Sequence, residues 1–320
     1  MNWDHIPKSD KGRREFLQAT VDLLAQHRTI GEAAAVMGIH RKTLTARKDT
    51  ATAEGIVPKY YQRGAESCVF PKGTRTDRKP YSIHGVKKVL ILNDIHVPYH
   101  NEDALLIALE DGQKNECDCI LINGDFMDCS SLSKHEKVPS ERAGFFDVEL
   151  PMAGQVLSGI KKMFPNAKKI LNEGNHEYMF PRYLARNSEE LFRRDCLERE
   201  LKPMIYDFEF VYRETPINIG RLHVRHGDEF RGGGAQNVAR TKYLQASGNI
   251  IFGHHHRTQQ YIHKTVSGKQ EGAWAVGCLC DLSPTYILEN QWNLGFAIVN
   301  LHETGDFVVQ NKMIINGEIY

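Results

Sequence analysis

The sequence predicts an α/β fold, a two-sheet β-sandwich flanked by helices, preceded by a small all-α unit. Three observations predict it. From about Lys88, short apolar runs ending in polar residues alternate with helical stretches, the pattern of a sheet covered by helices. Near the end, "GAWAVGCLC", "NLGFAIVNLH" and "FVVQNKMIING" follow one another with no helix between, which predicts a second, mainly antiparallel sheet. Before residue 55 the apolar residues recur at a helical spacing. With 320 residues the chain has room for one large domain and one small one, at ~100–200 residues per domain.

The first unit, residues 1–55, opens with "GRREFLQATVDLLAQHR" (12–28), where Phe16, Ala19, Leu23 and Leu24 fall on a helical period. Thr29 and Glu32 have the spacing of a capping box that starts a second helix. Gly38 permits a sharp turn, after which Ile39 and Leu44 can pack inward while Arg41, Lys42, Thr45 and Lys48 face out. This is a helix-turn-helix layout with a basic second helix. Its core is similar to the helix-turn-helix modules of small DNA-binding proteins over about twenty residues, which makes these four side chains the expected DNA contacts; a small docking or oligomerisation module is the other reading. Residues 56–87, rich in Pro, Gly and basic side chains, read as a linker or as an arm lying along phosphates. Residues 88–320 form the expected main domain.

Charge supports the division. Residues 1–88 hold 17 Lys and Arg against 9 Asp and Glu, a net +8, whereas the other 232 hold 24 against 31, a net −7. A basic first segment suits a polyanionic partner, DNA foremost. The composition, 41% hydrophobic and 25% charged, is that of an ordinary globular protein, with no apolar run of the ~18 residues that span a bilayer and no signal-peptide pattern at the start. Seven scattered cysteines argue against a disulfide framework and for a reducing compartment. A cytoplasmic protein, without membrane association, is expected. The two C-x-C pairs, "CDC" and "CLC", read as buried small hydrophobes before a thiolate metal site.

In the main domain, "KKVLILND" (87–94), "CILINGD" (119–125), "KKILNEGN" (168–175), "RLHVRHGD" (221–228) and "NIIFGH" (249–254) read as strands, with helices at 101–114 and 149–164 between them. Each strand delivers a potential metal ligand at its end, where α/β sheets build their sites. They are Asp94 and His96, Asp125 with Asp128, Asn175-His176-Glu177, His226, and finally three adjacent histidines at 254–256. In an extended chain residues i and i+2 share a face, so Asp94 and His96 pair, as do His254 and His256, whereas His255 points away into packing or a supporting hydrogen bond. Mixed imidazole, carboxylate and amide-oxygen ligands suit Mn, Fe or Zn better than Ca or Mg.

These five blocks resemble the calcineurin-like metallophosphoesterases, whose pattern is D-x-H, G-D-x-x-D, G-N-H-(D/E), H and G-H-x-H; the resemblance runs from residue 88 to about 310. It implies two divalent metal ions, Mn2+ first and Fe, Zn or Mg after it. Asp94, His96 and His256 would hold one ion, Asn175, His226 and His254 the other, and Asp125 would bridge them. Such ions sit ~3.5–4 Å apart, neutralise the phosphate, activate water and stabilise an in-line displacement. His176 is then placed to protonate the leaving oxygen, while Asp128 and Glu177 orient ligands.

The chain departs from the Ser/Thr protein phosphatases of that superfamily, which carry an arginine after the second block where this one reads Asp128-Cys129-Ser130. "GNHEYMFPRYLARNSEELF" instead resembles bacterial and phage-encoded members. Arg182 and Arg186, on an expected helix, and Arg231, in the glycine-rich "DEFRGGGAQNVAR", are candidate contacts to substrate phosphate; a solvated helix face and a flexible connection are the other readings. The expected function is hydrolysis of phosphodiester bonds in DNA, with the first unit binding the DNA. The alternatives are a phosphatase or phosphodiesterase for nucleotides or other small phosphoesters, its first unit serving assembly into homo-oligomers, and a regulatory DNA-binding protein without turnover.

Overall fold

The computed structural model describes residues 7–27, 29–58, 78–134, 144–202, 204, 207–230, 236–284, 287 and 289–320. Contacts divide the chain into two units, Met1–Thr76 and Asp77–Tyr320.

Among the described residues the smaller unit has three helices, α1 (Asp10–Leu24), α2 (Ile30–Met37) and α3 (Arg41–Ala53). Ser9 caps α1 by accepting the Gly12 amide, and Thr29 caps α2 by accepting the Glu32 amide at 3.2 Å, each satisfying an amide that has no partner within its own helix. Gly38 ends α2 in the left-handed region at φ 66°, where a residue without Cβ is unstrained. The buried stripe of α1 is Phe16, Leu17, Thr20 and Val21, displaced from the expected 16, 19, 23 and 24. The cause is tertiary: Leu17 and Val21 cluster with Ala51 and Ile56, whereas Leu23 and Leu24 only border the cluster of Ala33, Ala34, Met37 and Leu44. On α3, Leu44 is fully buried, Arg41, Lys42 and Lys48 are exposed and Thr45 is half-buried.

The larger unit has four layers. Its first sheet has seven strands in the order β13-β12-β11-β2-β3-β4-β5: β2 (Lys88–Leu92), β3 (Cys119–Asn123), β4 (Lys168–Asn172), β5 (Phe208–Val211), β11 (Leu294–Leu301), β12 (Phe307–Ile315) and β13 (Glu318–Ile319). Strands β2 to β5 are parallel, and β11 to β13 extend the sheet antiparallel from β2. The second sheet runs β1-β6-β7-β8-β10-β9, from β1 (Tyr81–Ile83), β6 (Ile217–Ile219), β7 (Leu222–Arg225), β8 (Ile250–Phe252), β9 (Gln259–Lys264) and β10 (Gln270–Ala275). Val89, Ile91, Leu121 and Ile170 of the first sheet pack against Ile219, Val224 and Ile251 of the second. Helices α4 (Glu102–Lys114) and α5 (Leu150–Met163) cover the outer face of the first sheet. The later helices are α6 (Met179–Asn187), α7 (Cys196–Leu201) and α8 (Val238–Ala246), the last covering the second sheet through Val238, Ala239 and Tyr243.

Three expectations are corrected. The C-terminal strands do not make a sheet of their own: β11 and β12 complete the first sheet, whereas β10 joins the second, parallel to β8. Strands buried on both faces are continuous apolar runs, so their sequences carry no mark of which sheet they enter. β7 and β8, expected in the same sheet as β2 to β4, therefore fall in the second. The expected 56–87 linker is not one throughout: Tyr81, Ser82 and Ile83 pair with β6 and Ile83 is buried, so the large unit begins before residue 88; residues 59–77 lie outside the described residues. The helix expected at 149–164 is α5, and a π-helical turn, Phe145–Glu149, precedes it.

Candidate metal centre

Because β2, β3 and β4 are parallel, as are β7 and β8, their C-terminal ends open onto common edges, and side-chain hydrogen bonds tie the two sheets together there. Asn123 Nδ2 donates to the Arg225 carbonyl at 2.8 Å, the His226 Nδ1 lies 3.0 Å from the Asn123 carbonyl, and the His254 amide donates to the Asp94 carboxylate at 2.9 Å. The loops that follow the strands therefore meet in one buried cluster.

At its middle is Asp125. Its Oδ2 lies 3.0 Å from His226 Nε2 and 3.9 Å from both His96 Nε2 and His176 Nε2, and its Oδ1 accepts the His176 amide at 2.9 Å. On one side, His256 Nε2 stands 3.4 Å from Asp94 Oδ1, and the His96 and His256 rings are 5.1 Å apart. On the other, Asn175 Oδ1 is 3.0 Å from His226 Nε2, and the His226 and His254 rings are 5.2 Å apart. All seven expected ligand residues thus converge, in two groups that share Asp125. Asp94-His96-Asp125 and Asp125-His226-His254 each present ligand atoms within 4.8 Å of one another and can hold a metal ion.

The route to this geometry differs from the expected one. Asp94, His96, Asp125, His254 and His256 all have positive φ, between 49° and 65°, so D-x-H and H-x-H are kinked loops and not extended chain. Left-handed backbone costs roughly 1–2 kcal/mol at a residue that carries a Cβ, and such strain gathers at functional sites. His255 does point elsewhere, against Phe252 and His254; burial, then the neighbouring His254, push its pKa down to about 3, which keeps it neutral.

Close approach dictates the glycines. A Cβ on Gly174 would lie 2.3 Å from both the Asp125 amide and its Oδ1, and one on Gly253 2.5 Å from Asp94 Oδ2. Gly174→Ala should therefore displace Asp125 and lower phosphoester hydrolysis by at least ~10²-fold, the cost of about an ångström of misplacement. Activity within threefold of the parent enzyme would contradict this packing.

Supporting residues fix the cluster. Asp128 Oδ1 lies 3.0 Å from His96 Nδ1, so the proton on that nitrogen leaves Nε2 free, and this buried Nε2 has no hydrogen-bond partner among the described residues. A buried nitrogen without a hydrogen-bond partner carries a cost that a cation removes. Glu177, fully buried, accepts the amides of Asp125, Met127 and Gly174 at 3.0, 2.6 and 2.8 Å; it clamps two ligand loops, while burial and the Asp125 charge push its carboxyl up to about 7. Glu149, in the π-helical turn, was not singled out from the sequence, where it reads as one more helical residue. It is buried and accepts the Cys129 amide at 2.7 Å, and burial pushes its carboxyl up to about 7.

Electrostatics suit cations. Burial would raise the Asp125 pKa, but the imidazoles of His226 and His176 hold it well below the usual carboxylate range. For Asp94 burial is likewise outweighed by His256. Burial and the nearby His226 push His254 down to about 4, the neutral form that ligates metal. Ionised carboxylates, a neutral His254 and an orphaned His96 Nε2 around one buried point fit a divalent pair. Against burial, the same carboxylates hold His226 well above the usual imidazole range and push His256 up to about 10, protons that a bound cation would replace.

Other expected contacts are less engaged. Arg182 and Arg186 are exposed on α6, and Arg186 Nε donates to its own helix at the Arg182 carbonyl; no contact joins either to the cluster among the described residues. Arg231 lies outside the described residues. The six cysteines among the described residues are free and buried, as expected of the two C-x-C pairs, but Cys280 stands beside an expected ligand, 3.8 Å from His256 Nδ1. No helix among the described residues is long and apolar enough to cross a membrane.

The family profile described as calcineurin-like phosphoesterase matches residues 87–269. Similar solved structures include Vacuolar Protein Sorting 29 from Cryptosporidium parvum, at 12% identity and TM-score 0.42, covering 73% of this chain and 95% of that one. A metallophosphoesterase from Sphaerobacter thermophilus has 15% identity and TM-score 0.37, covering 72% and 89%. A dimetal phosphatase from Danio rerio has 12% identity and TM-score 0.35, covering 70% and 95%. The curated proteins searched gave no match. With the family profile covering more than half its length and a metal-binding cluster at the ends of its strands, the chain belongs to the calcineurin-like phosphoesterases and is a metal-dependent hydrolase.

Proposed function

We propose that the protein hydrolyses phosphodiester bonds in DNA at a pair of divalent ions, Mn2+ foremost, and that its N-terminal unit binds the DNA. Asp94, His96 and His256 would hold one ion, Asn175, His226 and His254 the other, and Asp125 would serve both. The observation that carries the hydrolytic reading is the position of Asp125 Oδ2, faced by three imidazole Nε2 atoms at 3.0, 3.9 and 3.9 Å. When bound, the ions neutralise the phosphoryl oxygens, activate water and steady the in-line displacement.

The chain's own residues do the rest. His176 Nδ1 donates to the Asp128 carbonyl at 2.5 Å, which fixes the ring with Nε2 toward Asp125. Burial alone would lower the His176 pKa, but Asp125 and Asp128 raise it; with Nδ1 engaged, Nε2 is the nitrogen that would hold a proton for the leaving oxygen. Asp128 holds His96, and Glu177 holds the loops of Asp125 and Asn175. A metal-binding arrangement this buried selects by what reaches it, and the DNA reading rests on the +8 charge of residues 1–88 and the exposed Arg41, Lys42 and Lys48 on α3.

One observation favours the second reading, small phosphoesters with an assembling N-terminal unit. Within that unit a cleft of about 370 Å3 is lined by apolar groups including Val21, Leu24, Ile30, Ile56 and Val57. The full-length triple variant Arg41→Glu, Lys42→Glu, Lys48→Glu separates the two. On the DNA reading it loses duplex affinity, and its binding becomes less salt-dependent by about one unit of log-log slope per lost phosphate contact, while hydrolysis of bis-p-nitrophenyl phosphate is unchanged. DNA affinity and cleavage equal to the parent's would move the substrate to small phosphoesters.

A further inference from the structure

Two of the ligand histidines have their outer nitrogen, Nδ1, tied to an oxygen: His96 to the Asp128 carboxylate and His226 to the Asn123 carbonyl, each at 3.0 Å. In each case the tie fixes the tautomer that carries hydrogen on Nδ1 and leaves Nε2 as the lone-pair atom facing the centre. His256 turns Nε2 toward Asp94 Oδ1 at 3.4 Å, so its Nδ1 needs an acceptor too. What faces that nitrogen is sulfur, the Cys280 Sγ at 3.8 Å.

We propose that Cys280 is a positioning residue for the metal centre: its sulfur accepts the His256 Nδ1 hydrogen, fixes the ring, and makes Nε2 the ligating atom. The inference rests on His256 being a metal ligand. Cys280 is only 4% exposed, so water does not compete for the imidazole. Backbone bonds hold the Cys278-Leu279-Cys280 segment against the first ligand loop: the Leu279 amide donates to the Asp94 carbonyl at 3.1 Å, the Asn101 amide to the Leu279 carbonyl at 2.9 Å, and His100 forms a bridge with Cys280. Hence the sulfur is placed by the same strand-end loop that places Asp94. From the other side, Trp292 packs its ring 4.1 Å from the His256 ring and the Asn293 amide donates to the His256 carbonyl at 2.8 Å. The imidazole is thus confined, and only its two nitrogens have polar work to do.

Direct ligation by Cys280 is the competing role, since His96, His256 and Cys280 present ligand atoms within 4.8 Å of one another. The direction of approach decides against it: the sulfur meets Nδ1, at the back of the ring whose Nε2 looks to Asp94, and one ion cannot sit at both places. Cys278 also lies near the imidazole, but its sulfur is turned to the Asn293 carbonyl at 3.6 Å, whereas the Cys280 sulfur is the one that faces Nδ1, at 3.8 Å.

The test is calorimetric titration of full-length, metal-stripped protein with Mn2+ alone, comparing the parent with Cys280→Ala, Cys280→Ser, Cys278→Ala and His256→Ala. A lost supporting contact weakens metal binding by ~10–100-fold. Cys280→Ala should show that loss at one of two binding events, Cys280→Ser should recover most of it because a hydroxyl oxygen also accepts the hydrogen, and Cys278→Ala should match the parent. His256→Ala should remove the event entirely. If His256→Ala loses the event and Cys280→Ala does not, or if Cys278→Ala carries the loss, the proposal is overturned while the ligand assignment stands. If His256→Ala itself binds two ions like the parent, the ligand assignment fails. Nitrogen-15 NMR of the parent imidazoles in protein loaded with diamagnetic Zn2+ tests the tautomer without any substitution: hydrogen on His256 Nδ1 is expected, and hydrogen on Nε2 overturns the proposal even if Cys280→Ala fails to fold.

Discussion

Asp125→Asn should reduce Mn2+-dependent hydrolysis of bis-p-nitrophenyl phosphate by about 10³-fold or more, equivalent to roughly 4 kcal/mol of lost transition-state stabilisation. The substitution preserves shape and removes one charge. Asp125 is 1% exposed and faces three imidazole nitrogens through Oδ2, so removing its charge leaves that position without an anion. Two cations drawn together without a carboxylate between them repel one another, and in a site screened from water that repulsion is large. The backbone around it has other supports, among them the Asp125 amide bond to Glu177 at 3.0 Å, so near-UV circular dichroism of the variant should match the parent. Hydrolysis within tenfold of the parent would show that Asp125 is not the bridge.

His176→Ala should give a loss that depends on the leaving group. The Nδ1 bond to the Asp128 carbonyl leaves Nε2 as the only ring nitrogen able to reach a substrate, and general-acid catalysis contributes ~10²–10⁴-fold. That full loss is expected for a nucleotide phosphodiester, whose alkoxide leaving group needs a proton. A p-nitrophenyl ester releases a stable phenolate and should slow far less. The His176 backbone amide, which donates to Asp125 Oδ1, survives in the alanine variant, so the metal cluster should remain intact. Equal losses on both substrates would assign His176 a part in arranging the cluster and not in proton transfer.

The sequence announces the chemistry of the site better than its geometry. The blocks with the expected ligands were legible because each follows an apolar run, three of them across a glycine, Gly124, Gly174 or Gly253, and parallel strands carry such residues to a common edge. The kinks were not: nothing in D-I-H or H-H-H distinguishes extended chain from the left-handed turns at φ 51°, 53°, 65° and 54° of Asp94, His96, His254 and His256, because those turns are imposed by the packing of loops upon one another. Sheet membership was hidden for a related reason. Ile250, Ile251 and Phe252 of β8 are buried on both faces, as are Ile120, Leu121 and Ile122 of β3, and two such strands read alike while lying in different sheets. Strand β1 escaped notice inside a basic, proline-bearing stretch, since three residues offer too short a period to detect. Cys280 looked like core filler for the sound reason that it is buried; its bearing on His256 belongs to the fold alone.

The most direct test of the paired metal centre is to count its metal. Protein stripped with chelator, loaded with Mn2+ and freed of excess by gel filtration should contain two ions per chain by elemental analysis, fall to fewer in Asp125→Asn, and lose all hydrolysis when stripped again. A loaded parent protein that retains no metal, or hydrolysis that persists undiminished in the stripped protein, would contradict the account.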